Sequence, residues 1–184
     1  MNTLHTPLIW IDMEMSGLDP ETCRVLEIAT IVTDGALNIV EKGPELIIHQ
    51  PDEVLDRMDE WNTSHHGSSG LTEAVKASTI SEQDAERQTL EFLASHCEAD
   101  ASPLCGNSIG QDRRFIVRYM PVLAEFIHYR SVDVTSFKVM ATHWFPNLPP
   151  YPKQEQHRAL GDICESIAEL AYYKERVFRE PSDV

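Results

Sequence analysis

Hydrophobic and polar positions along the chain begin with the two-residue period of extended backbone. In LIWIDMEM, Leu8, Trp10, Asp12 and Glu14 share one face of a strand, and Ile9, Ile11, Met13 and Met15 share the other. The run is apolar on both faces up to Asp12, as a central strand covered on both sides requires, and SGLDP supplies turn residues that end it. RVLEIATIVTD predicts a second strand rich in β-branched residues. LNIVEKGPELIIHQ predicts a third, or a pair about Gly43-Pro44, so that the chain opens as a meander.

From about Asp52 the period lengthens to that of a helix, in DEVLDRMDEWN and then in SEQDAERQTLEFLASHC, where Ala85, Thr89, Phe92 and Leu93 mark the inward side. SPLCGNS reads as a short strand. CGNSIGQDRRFIVRYM predicts a helix with Ser108 as N-cap and Gln111 three residues on, a capping-box arrangement, with Ile109, Asp112, Ile116 and Tyr119 as its inward stripe. YRSVDVTSFKVMATHWF reads as strand into helix, and FPNLPPYPKQEQ as a loop, because its prolines exclude a helix interior. A closing helix follows, with Leu160, Ile163, Ile167 and Leu170 at helical spacing. The sum is an α/β fold in a single domain over residues 1–184, a length that suits one well-buried core.

Composition narrows the function. Hydrophobic content of 42% and charged content of 24% are those of an ordinary globular chain. No stretch is long and apolar enough to span a bilayer, and MNTLHTPLIW lacks a basic region followed by an apolar signal core, so a cytoplasmic protein is expected, with no membrane partner. Cys23, Cys97, Cys105 and Cys164 are scattered with no Cys-x-x-Cys pair, which suggests small buried hydrophobes rather than a zinc site or disulfide framework. A net charge of −15 works against a protein that tracks a long polyanion, but allows a short nucleic acid held by a few local cationic groups.

Against that background three acidic placements stand out. Asp12 and Glu14 lie side by side at the end of a strand, where two ionised carboxylates repel and lose hydration; a divalent cation, an Arg or Lys partner, or a wet edge would each relieve this. Asp112 occupies an inward position in the first turn of its helix, where the helix dipole offers roughly 0.3–1 kcal/mol, too little to keep a buried carboxylate ionised. His157 and Asp162 are five residues apart, about 140° around a helix. They converge only if His157 lies on the Pro-rich loop and Asp162 in the first turn of the closing helix, and a loop His beside carboxylates suits general base work.

A strand Asp-x-Glu, a mid-chain helix Asp, and a late His with an Asp five residues on resemble, in that order, the DEDD exonuclease superfamily in its His-bearing branch. LIWIDMEMSGLDP, LEIATIVTD, CGNSIGQDRRF, HYRSVDVTSFK and ESIAELAYYKE, spread from Leu8 nearly to Arg176, resemble the oligoribonuclease family within it. The resemblance implies a ribonuclease H-like fold, a mixed central sheet flanked by helices, and a homodimer. It implies 3′-to-5′ removal of mononucleotides from very short single-stranded RNA, dinucleotides above all. Asp12, Glu14, Asp112 and Asp162 would hold two divalent cations, Mg²⁺ or Mn²⁺, and His157 would be the general base. Two hard cations about 3.5–4 Å apart stabilise both attacking and leaving oxygens of an in-line displacement.

Substrate contacts carry over by position. Leu18 would wedge between bases, Trp61 would stack on one, and His66 would lie near phosphate or sugar. Ser108, Arg130 and Thr135 would cap the 5′ phosphate, and Tyr129 would reach across from the partner subunit. The chain departs from the family pattern at Gly161, where an acid is common, and at Glu155 in the loop before His157. Two other readings are a DnaQ-like exonuclease acting on DNA and a catalytically silent RNA-binding module; a calcium-binding structural role is weaker, since the acids are too dispersed for an EF-hand loop.

Overall fold

The computed structural model describes residues 6–152 and 158–178. Five strands form one sheet: β1 (Leu8–Met15), β2 (Val25–Thr33), β3 (Ile39–Ile47), β4 (Pro103–Gly106) and β5 (His128–Asp133). Their order across the sheet is β3-β2-β1-β4-β5, which puts β1 at the centre. β1, β2 and β3 pair antiparallel, as the predicted meander requires, while β1/β4 and β4/β5 are parallel, so the sheet is mixed.

Eight helices accompany the described strands: α1 (Asp52–Leu55), α2 (Glu60–Ser68), α3 (Leu71–Ala77), α4 (Glu82–Ala94), α5 (Gly110–Tyr119), α6 (Pro121–Phe126), α7 (Val134–Trp144) and α8 (Ala159–Val177). The alternation in β1 sorts them to the two sheet faces. Ile9, Ile11 and Met13 share a core with Ala85 and Leu93 of α4, Phe115 and Ile116 of α5, and Leu123 of α6. Trp10 joins Ala29, Ile31 and Cys105 against Val134 of α7 and Ala159, Ile163, Ile167 and Leu170 of α8. Asp12 and Glu14 continue the Trp10 stripe and so face the α8 side.

One open alternative is decided and two expectations change. LNIVEKGPELIIHQ forms the single strand of the two alternatives: the pairing of β2 with β3 slips between Ala29 and Ile31, opposite Glu45 and Lys42, and the irregularity absorbs Gly43-Pro44. There, a Cβ on Gly43 would stand 2.5 Å from the Phe92 ring. DEVLDRMDEWN divides into α1 and α2, because Asp59 caps α2 by accepting the Asn62 N–H at 2.8 Å. Ser108 is not an N-cap. It holds a left-handed conformation (φ 50°), α5 begins at Gly110, and the Gln111 amide instead reaches the Leu18 carbonyl. The inward stripe of α5 is nevertheless Ile109, Asp112 and Ile116, with Tyr119 half-buried against the same core and Phe115 added.

Candidate active site

β4 ends at Gly106, and its pairing with β1 reaches only Trp10 opposite Cys105. Beyond that point β1 has lost a neighbour on one edge. Asp112, buried in the first turn of α5, fills the gap by accepting the Met13 N–H at 3.0 Å. On the same terminal stretch of β1, Asp12 and Glu14 face the first turn of α8, which carries Asp162. Asp12, Glu14 and Asp162 each present a carboxylate oxygen within 4.8 Å of the others.

Electrostatics mark this corner as unfinished by protein alone. Burial first, and then the charges of Asp112, Asp162 and Glu14, hold Asp12 well above the usual carboxylate range. Burial, followed by the charges of Asp162 and Glu27, pushes Glu14 up to about 8. Asp112 is pushed up to about 7, again chiefly by burial, against the lowering effect of its backbone hydrogen bonds. Like charges crowded into a poorly solvated place favour protonation or a bound cation, and an all-oxygen donor set suits a hard divalent ion. The residues therefore fit a divalent metal.

The wall beside Glu14 is α2. His66 is buried, and its Nε2 donates to the Met15 carbonyl at 2.9 Å. The proton on Nε2 leaves Nδ1 with a lone pair, which has no hydrogen-bond partner among the described residues and lies 3.9 Å from a Glu14 oxygen. Burial keeps this imidazole below its ordinary range. One turn earlier, Trp61 is 65% exposed and stacks on His65, with ring centroids 4.5 Å apart and planes 10° from parallel. Leu18, just beyond β1, is 72% exposed, and its carbonyl is held by Gln111 at 2.5 Å and Arg114 at 3.4 Å.

An exonuclease family model matches residues 9–170. Over 95% of its length the chain is 57% identical to the oligoribonuclease of Shewanella loihica, covering 97% of that protein, and over 94% it is 58% identical to that of Marinobacter nauticus, covering 96%. The chain belongs to the oligoribonuclease family. Solved structures with the same fold include exonuclease I from Methylocaldum szegediense (TM-score 0.70, 19% identity) and the zinc-bound form of E. coli exonuclease I with single-stranded DNA (TM-score 0.71, 17% identity). Each covers 94% of this chain, which spans 41% of the length of those larger chains.

In this oligoribonuclease-family chain the positions expected to meet a 5′ phosphate fall into two groups. Ser108 and Thr135 are together, with hydroxyls 3.1 Å apart, and the Ser108 N–H donates to both Thr135 Oγ1 and Asp133 Oδ1 at 2.9 Å. They line a cleft of about 430 Å³ with Asn107, Lys138, Thr142 and His143. Arg130 and Tyr129 lie on the exposed end of β5, where the guanidinium donates to the Tyr129 hydroxyl at 3.2 Å. Tyr129 is 71% exposed.

His157 lies outside the described residues. Asp162 is in the first turn of α8, the placement that convergence with His157 requires. The sequence reading missed Glu27 and Arg158. Glu27 is opposite Glu14 in the β1–β2 register, fully buried, and gripped by Arg158 through Nη2 at 2.7 Å and Nε at 3.2 Å to each oxygen. A signal was available: Glu27 interrupts an otherwise apolar or β-branched run, as Asp12 does. Lys138 and His143, which line the cleft beside Ser108 and Thr135, were also missed, and exposed residues on a helix offer no such signal.

Proposed function

We propose that the chain is a 3′-to-5′ exoribonuclease that hydrolyses very short single-stranded RNA, dinucleotides above all, to mononucleotides, with residues 1–184 acting as one exonuclease domain. The observation that carries the chemistry is the convergence of Asp12, Glu14 and Asp162 at the end of the central strand, with Asp112 bound to that strand one residue along. The oligoribonucleases at 54–58% identity support the substrate class.

Asp12, Glu14, Asp112 and Asp162 would hold two divalent cations, Mg²⁺ or Mn²⁺. Such ions supply charge stabilisation for the scissile phosphate and the leaving 3′ oxygen. The chain's own residues do the rest. His157 takes the proton from the attacking water as general base. His66, buried beside Glu14, would lie near the phosphate or sugar of the bound RNA. Leu18 and Trp61, exposed and with no core to fill, clamp the bases, and Trp61 is already oriented by its stack on His65.

Ser108, Thr135 and Arg130 take the 5′ phosphate and close the pocket, so preference for short substrates follows from geometry and is compatible with a net charge of −15. Tyr129, exposed on β5, completes the cap across a homodimer interface. A cytoplasmic location belongs to the same proposal. Among the described residues no helix is long and apolar enough to cross a membrane.

Product analysis with 5′-labelled RNAs of two to seven nucleotides tests the reading, with and without Mg²⁺. Metal-dependent conversion of the dinucleotide supports it. Trimming of long chains while dinucleotides persist rejects the capped pocket, and equal cleavage of matched DNA favours the DNA exonuclease alternative.

A further inference from the structure

Every residue of β2 is buried, and Glu27, third in the strand, has 0% exposure. Its two oxygens are engaged on one side by Arg158, and one of them also accepts the Ala159 N–H at 3.4 Å. Arg158 occupies the N-cap position of α8, where its own side chain makes no capping bond. Glu27 therefore caps α8 from another element of the fold. The same Nη2 also donates to Glu45 of β3 at 3.4 Å, so one Arg ties the helix start to two adjacent strands. At the far end of the same turn the Asp162 N–H donates to the Arg158 carbonyl at 3.0 Å.

We propose that Glu27 and Arg158 are positioning residues: their ion pair pins the first turn of α8 to β2 directly opposite Glu14, and thereby sets the Asp162 carboxylate against those of Asp12 and Glu14. Two features favour this role over plain stabilisation. Glu27 is a fully buried carboxylate paired with an Arg158 side chain that is 38% exposed; such a pairing adds little net stability compared with an apolar residue of the same size at the Glu27 position, so its role is better explained by what it fixes. The fork of the guanidinium on a carboxylate is also directional, which a point charge or an apolar contact is not. The Arg158 charge further eases the crowding of negative charge at Glu14.

The inference rests on the proposed cation site but not on the identity of the substrate. It is tested by Mn²⁺ binding to the chelator-treated protein, read from the electron paramagnetic resonance of free and bound Mn²⁺ with no RNA present. Arg158→Lys keeps the charge and loses the fork; Glu27→Gln keeps the shape and loses the charge. Each should weaken Mn²⁺ binding about 10–100-fold, the usual effect of removing a group that orients metal ligands. Hydrolysis should fall in kcat at low metal, with KM little changed and the rate recovered by excess cation.

Glu86→Gln is the control. Glu86 is a buried carboxylate that accepts the Val122 and Leu123 N–H groups at the start of α6, remote from the acidic cluster in the fold. It should melt lower and bind Mn²⁺ as the unaltered protein does. Unaltered Mn²⁺ affinity in folded Arg158→Lys overturns the proposal, as does an equal loss in Glu86→Gln. Weakened binding supports the role of the pair whether or not dinucleotides are cleaved, so a failure of the substrate reading shows itself separately in the product analysis of the unaltered enzyme.

Discussion

Removing divalent cations should make the stability of this protein fall with pH in a range where most proteins change little. A carboxylate whose pKa is higher in the folded chain than in the unfolded one binds its proton more tightly when folded. Its contribution is lost as pH rises from the unfolded value through the folded one. Glu14 is lifted from 4.5 to about 8, with its side chain 15% exposed. Between about pH 6.5 and 8.5 that displacement alone amounts to about 2 kcal/mol of destabilisation. Asp112, pushed up to about 7, acts in the same direction.

The lower bound of the window matters. His66, held below its ordinary range by burial, gives the opposite slope below about pH 6.5. Asp34, Asp59 and Asp84, held low by their turn and cap hydrogen bonds, contribute stability that is lost only when pH falls to the acid range. For a chain of this size about 2 kcal/mol corresponds to a fall in Tm of about 4–8 °C. The assay is thermal unfolding by circular dichroism after chelator treatment, across that window, with and without millimolar Mg²⁺. The cation favours the ionised carboxylates and should flatten the profile. A flat profile without cation, or a fall that Mg²⁺ leaves untouched, would refute the electrostatic account of the cluster.

Asp112→Asn keeps an oxygen for the Met13 N–H, so it should fold while dinucleotide turnover drops by at least about 100-fold, whereas Asp112→Ala should also lose about 1–3 kcal/mol of stability by orphaning that donor; parallel melts and product assays separate the two. Trp61→Ala removes a stacking face that no core contact needs, and should cost about 1–3 kcal/mol in kcat/KM on short RNA without lowering Tm; a matching loss of Tm would make Trp61 structural. If the proposed cap across a homodimer holds, Tyr129→Ala should lower kcat/KM for 5′-phosphorylated dinucleotides at the oligomeric state that sedimentation gives for the unaltered protein, and a monomer with full activity would remove the cross-subunit role.

Much of this site was legible in the residues because the physics that exposes it is local. Alternation in LIWIDMEM is enough to place Asp12 and Glu14 on one face, since the strand period is two whatever surrounds it. Helical spacing likewise turned Asp112 inward, and the Pro-rich FPNLPPYPKQEQ loop allowed Asp162 to open a helix. What local patterning could not provide was the reason Asp112 is buried: β4 ends before β1 does, and the N–H of Met13 beyond it needs an acceptor. It also misread Ser108, whose left-handed backbone is set by Asp133 and Thr135, residues 25 and 27 positions away.

The sequence by itself determined the strands, the longer helices and their buried faces, and that Asp12, Glu14 and Asp112 had to be compensated, because periodicity and solvation act over a few residues. Tertiary structure alone decided which acids meet, which of them the protein satisfies internally, and how. Glu14 and Glu27 are thirteen positions apart in the chain and opposite each other in the sheet, yet one joins the Asp12 and Asp162 carboxylates and the other is closed off by Arg158, which lies 131 positions beyond it. Charge interactions depend on distance through space and on the surrounding dielectric, and neither is set until the sheet and α8 have packed.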